Sequence, residues 1–223
     1  MRTARRTAAG LAVAAALAVV AGAPVAAAAQ VQWRPTVLAA LAEHRVTIGG
    51  GADQASGFLV GLGVEAVVHP VVTVDARATG GRLGADAPPA EDRDVGELAL
   101  GAAIFPLPSL GLVLGARARR YEGTLGSQRW LVITLGPEGR VALYGDAVQG
   151  RIRLTVAPFT SVTGLPAPDR ALGGHVEITY ARDRLDAMLG YSLERFDFSP
   201  ANAGRRHEQL AALTLRFGWR LGR

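Results

Sequence analysis

Apolar and polar positions alternate along most of this chain with a period of two. From Val71 to Thr79, the residues Val72, Val74, Ala76 and Ala78 interleave with Thr73, Asp75, Arg77 and Thr79. Between Leu110 and Tyr121, one face reads Leu110, Leu112, Leu114, Ala116, Ala118 and the other Gly111, Val113, Gly115, Arg117, Arg119, Tyr121. The same pattern runs through Arg151–Pro158, His175–Arg182, Leu185–Glu194 and Ala211–Arg220. In Asp94–Phe105, Leu98, Leu100, Ala102 and Ile104 oppose Glu97, Ala99, Gly101 and Ala103. Arg45–Gly51 and Phe58–Val68 alternate loosely, with Glu65 on the minority face, and Gln128–Gly136 is apolar on both faces. Successive side chains of a strand point to opposite sides, so each segment is a strand with one apolar face and one polar or small face.

These segments predict an all-β fold, a closed antiparallel transmembrane barrel of about ten strands, with eight as the alternative. Short turns are expected at His69-Pro70, Pro106–Pro108 and Arg182–Arg184, and longer polar loops near 83–93, 122–127, 162–171 and 199–205. Tight turns at one end and long loops at the other are the arrangement of a membrane-spanning barrel. Gly136–Gly150 resists assignment. An extra hairpin around Pro137-Glu138-Gly139 would spoil the parity, which leaves a long connection or the start of a long bent strand.

The first residues differ from the rest. Arg2, Arg5 and Arg6 precede the apolar run Leu11–Val20, and Ala26–Ala29 supply small side chains. This is the layout of a secretory signal peptide, with cleavage expected near Ala29. The expected organisation is therefore 1–29 signal peptide, 30–43 periplasmic N-terminal segment and 44–223 barrel. Beyond the leader no apolar run reaches the ~18 residues of a membrane-spanning helix.

Composition narrows the chemistry. Without its three leader arginines, the chain's 24 basic residues become 21 against 19 acids, a net +2 in place of +5. A nucleic-acid partner is not expected, because such binding needs a concentrated basic surface. With no cysteine, disulfides, thiolate catalysis and Cys-ligated metals are excluded. No cofactor and no metal site is expected.

A soluble sandwich also alternates, so other features must separate the two fates. The polar faces mix small residues with opposite charges, as a narrow lumen requires. The expected lumen charge network is Glu65, Asp75, Arg77, Glu97, Arg117, Arg119, Arg151, Arg153, Glu177, Asp186, Glu194 and Arg216. Aromatic residues fall near strand ends, where headgroups would lie. Phe105, Tyr180, Phe217 and Trp219 are expected at the periplasmic rim, and Phe58, Tyr121, Trp130, Phe159, Phe196 and Phe198 at the outer rim.

Leu213–Trp219 (LTLRFGW) resembles the terminal strand by which bacterial outer-membrane barrels are recognised for assembly, although Arg220–Arg223 follow where a terminal aromatic is usual. The mature chain as a whole resembles the small outer-membrane β-barrel proteins of Gram-negative bacteria. That resemblance implies residence in the bacterial outer membrane, contact with outer-membrane lipid and lipopolysaccharide, and passage through the barrel-assembly machinery. It does not fix a function.

Candidate chemistry is sparse. His69 precedes Pro70 at a turn, His44 and His207 lie near predicted strand starts and are expected to face solvent or the headgroup zone, and His175 shares the inward face with Glu177 and Thr179. No His-x-Ser motif marks a lipid A hydrolase, and Ser161 and Ser192 have no histidine nearby in sequence. The expectation is a non-enzymatic barrel of structural or surface-interaction type with a side-chain-filled lumen. The alternatives are a narrow transport channel, a soluble lipocalin-like or sandwich carrier and an outer-membrane lipid hydrolase.

Overall fold

The computed structural model describes residues 31–88, 90–123, 126–200 and 204–221; the expected signal peptide, 1–29, lies outside the described residues. Ten strands run β1 Gln32–Ile48, β2 Gly51–His69, β3 Val72–Ala85, β4 Arg93–Leu107, β5 Leu110–Gly123, β6 Gly126–Tyr144, β7 Val148–Val162, β8 Arg170–Arg182, β9 Leu185–Asp197 and β10 Arg206–Trp219. Each pairs antiparallel with its sequence neighbours, and β1 pairs with β10 to close the barrel. Closure pairs the first strand with the last and so removes the two free edges of an open sheet.

β1 corrects one expectation. The segment expected over 30–43 is, from Gln32 on, part of the barrel, because β1 begins there and its register with β2 starts at Gln32↔Val67. Val37, Ala39 and Leu41 point outward while Leu38, Ala40 and Ala42 point inward, so both faces are apolar and alternation is hidden. The Gly49-Gly50 turn that follows has φ of 55° and 97°, a left-handed pair that glycine adopts without strain.

The region 136–150 is a long bent strand. β6 continues through Pro137 to Tyr144 and turns into β7 at Val148, with register shifts at Ile133/Leu135 and Ala142/Tyr144. At the first shift the chains approach so closely that a side chain at Gly136 would collide with the Leu154 carbonyl. Pro137 is tolerated beside this irregularity, where the ladder is already bent.

The connections sort by end. Pro70-Val71, Pro108-Ser109, Gly145–Ala147 and Asp183-Arg184 make short turns at one end. The opposite, loop end carries 86–92, 163–169 and 198–205, together with the tight β1–β2 turn. A longer loop over 122–127 is also corrected: β5 reaches Gly123 and β6 starts at Gly126.

Candidate functional site

The outer wall is an apolar belt. Leu41, Leu62, Leu98, Leu100, Leu112 and Leu154 are all at least half exposed on it. Its aromatic members include Phe58, Tyr180, Phe217 and Trp219, and register places Phe159 there opposite Ile133. Trp33 and Tyr144, which strand-end reasoning passed over, are also exposed.

Four expected belt aromatics instead point into the lumen. Phe105, Tyr121, Trp130 and Phe196 are each about 5% exposed or less. The reason is strand parity, which overrides position along the strand. Tyr121 shares its face with Arg117 and Arg119, Phe105 with Glu97 and Gly101, and Phe196 with Glu194. Phe198, also expected at the outer rim, is buried with them, and Trp130 packs against Phe196 and Phe198 with ring centroids 4.9 and 6.2 Å apart. Trp130, Phe196, Phe198 and Tyr121 form an apolar plug across the loop end of the lumen with Leu83, Val95, Val132 and Val162, while Phe105 packs apart with Ala103 and Val113.

His44, expected to face solvent or headgroups, is instead buried in that plug near the end of β1, because it shares the inward parity of Ala40 and Ala42. His44 Nε2–H donates to Glu208 at 3.2 Å, and its Nδ1 accepts from Arg93 at 2.9 Å. Its ring stacks on Tyr121 at 4.5 Å. Arg93 in turn donates to Asp53 at 2.6 Å, and Arg206 bridges to Glu208 at 2.5 Å.

Below the plug lies an ionic waist. Arg119 on β5 reaches both Glu97 on β4 (2.5 Å) and Glu194 on β9 (3.0 Å), spanning the lumen. Arg117 joins the same two carboxylates, and Arg77 approaches Glu97 at 3.6 Å. On the other side, the fully buried Glu138 holds Arg140, Arg151 and Arg153 at 3.1, 3.3 and 2.5 Å. Glu177 holds Arg216 at 2.6 Å, with Arg151 and His175 at 3.8 and 3.7 Å. Nearer the short turns, Asp186 takes Arg34 and Arg220, and Arg34 also bridges Glu65. Opposite charges held this way offset the cost of leaving water, which no single buried charge recovers alone.

All twelve expected lumen residues thus lie on the inward face, but Asp75 has no ion pair within 4 Å among the described residues. It lies over Gly101, where any side chain would strike its carboxylate. Sequence reasoning missed Arg34, Glu138, Arg140 and Arg220. Glu138 and Arg140 continue the parity of Thr134 and Gly136, a signal interrupted by Pro137. Arg140 also caps the Phe105 ring, 3.3 Å from its centroid. A cavity of about 170 Å³ remains in the waist, lined by Asp75, Arg77, Arg117, Arg153, His175 and their neighbours.

The loop-end rim is pinned to the barrel. The Asp92 carboxylate accepts from the Ala85 N–H and from Arg82, both at 2.9 Å. Those two bonds hold its carboxyl below the ordinary aspartate range. Ser199 donates to Asp169, and Asp197 receives His207 at 2.6 Å and Arg195 at 2.9 Å.

No family model and no curated protein sequence matches this chain. Solved structures do. The outer membrane protease OmpT from Escherichia coli is similar at 12% identity over 86% of this chain and 96% of that one, with a TM-score of 0.53. The beta domain of the Bordetella autotransporter BrkA is similar at 12% identity over 83% and 98%, with a TM-score of 0.51. The fold is that of Gram-negative outer-membrane β-barrels.

Proposed function

We propose that this chain is a bacterial outer-membrane protein of structural or surface-interaction type, its lumen closed by its own side chains. The observation that carries the reading is the opposition of the two faces. The outer wall is leucine, valine and aromatic residues, suited to hydrocarbon, while arginines and carboxylates are paired inside. A soluble carrier would invert that arrangement. The loop end bears the segments available to extracellular partners, and the belt is the surface for outer-membrane lipid and lipopolysaccharide. Export and insertion through the barrel-assembly machinery follow from the same reading.

Closure of the lumen supports a scaffold over a channel. The Trp130–Phe196–Phe198 plug covers one end, and the residual cavity of about 170 Å³ is interrupted by the Arg119 bridges.

Three measurements test this. The chain should partition into detergent, migrate faster unboiled than boiled on SDS gels, and give no discrete conductance steps in planar bilayers. A monodisperse chain in detergent-free buffer would refute the membrane reading, and regular conductance steps would refute the closed lumen.

A further inference from the structure

The outer face carries arginines just above the apolar belt at the loop end, and most are neutralised or isolated. Arg82 is bridged to Asp92 and Arg195 to Asp197. Arg45 faces Gln54 and Gln209 across its two neighbouring strands, and Arg170 faces Asp197. One pair differs. Arg120 on β5 and Arg129 on β6 stand directly opposite each other in register, both exposed on the outward side. Like charges directly opposite on paired strands repel. Glu122 takes one arm of Arg120, but the Arg129 side chain has no hydrogen bond or ion pair among the described residues.

We infer that Arg120 and Arg129 form a seat for the phosphate of an outer-leaflet phosphoglycolipid of the lipid A type. This rests on the membrane reading above. Two guanidinium forks on adjacent strands offer several N–H donors to one phosphate, which accepts from both and removes their repulsion. The seat is continuous with hydrocarbon-facing wall: the next pairs down are Ala118↔Leu131, Ala116↔Ile133 and Leu114↔Leu135. Ser161, opposite Leu131 on β7, adds an exposed hydroxyl beside them. A ligand that fits both halves carries a phosphate at its head and acyl chains below it. A free phosphate would use only the upper half.

The test is lipid retention by the full chain in detergent micelles, read by native mass spectrometry. The probes are bis-phosphorylated lipid A and the same lipid enzymatically dephosphorylated. The wild-type chain is expected to prefer the phosphorylated form roughly tenfold. Arg129→Gln should reduce that preference severalfold, and Arg120→Gln with Arg129→Gln should abolish it. The lysine pair Arg120→Lys with Arg129→Lys should keep part of it, and Arg170→Gln should leave it unchanged. Heat-modifiable migration of each variant reports folding separately. Equal retention of both lipids by the wild type, an unchanged preference in the double glutamine variant, or an equal loss in Arg170→Gln would overturn the seat while leaving the barrel standing. A wild-type chain that never enters detergent would overturn the membrane reading and the seat with it.

Discussion

Near the loop end, Trp130, Phe196 and Phe198 exclude water by packing, whereas in the waist Arg119, Arg117, Glu97 and Glu194 exclude it by pairing. The two strata fill one lumen and fail differently. Packing is divisible: a smaller ring loses contacts in proportion to the space it leaves. Pairing is not, because each carboxylate serves several arginines. Removing one acid leaves more than one buried cation without its counter-charge.

The sharpest test of that contrast is Glu138→Gln. It keeps the volume but leaves Arg140 and Arg153 without a carboxylate partner and Arg151 with Glu177 alone. The expected loss is about 3–5 kcal/mol, measured by urea unfolding from lipid vesicles. A loss below about 1 kcal/mol would mean that the waist is wet enough to screen its charges.

Moving an arginine to the wrong face gives the next largest effect. Leu112 is outward and 59% exposed, between Ile104 and Pro137. Leu112→Arg should cost roughly 2–4 kcal/mol and block membrane assembly, scored by the heat-modifiable band. The fold accepts arginines a few residues away only because they point toward glutamates. Normal assembly of this variant would reverse the assignment of faces.

The apolar stratum should respond by degrees. Trp130→Phe removes the Nε1–H bond to Gln128 and part of the ring but keeps an aromatic against Phe196. A loss of roughly 1–2 kcal/mol is expected in the same unfolding assay. A collapse as large as that of Glu138→Gln would erase the distinction between strata.

The smallest expected effect lies outside both strata, at the loop tether of Asp92. Because its folded pKa is depressed, the tether contributes fully above the ordinary aspartate value of about 3.9 and is lost as pH falls through the lower folded value. Amide exchange at Ala85, corrected for intrinsic rate, should quicken as acid crosses that window. Asp92→Ala, which removes the acceptor, should make exchange fast and pH-independent already at neutral pH. Identical protection in both chains would sever loop 86–92 from this anchor.

Alternation carried a count of about ten strands, the short turns at Pro70, Pro108 and Asp183 between them, and the inward direction of residues such as Glu97, Arg117 and Glu177, because a period of two assigns every side chain to one of two faces, although the segment Arg45–Gly51 runs across the Gly49-Gly50 turn. The inward direction of Tyr121, Phe105 and Phe196 was legible by the same rule, since each continues the parity of a charged neighbour. β1 was harder, as both its faces are apolar, and β6 was masked where Pro137 and the irregularity at Gly136 interrupt the count. What only the tertiary structure decided is partnership. Arg119 meets Glu194 from β9, and Arg216 meets Glu177 across β9, because closing β1 on β10 with a particular stagger sets which residues share a level. The alternating sequence specifies which way a charge points; the stagger of the closed sheet specifies what it meets there.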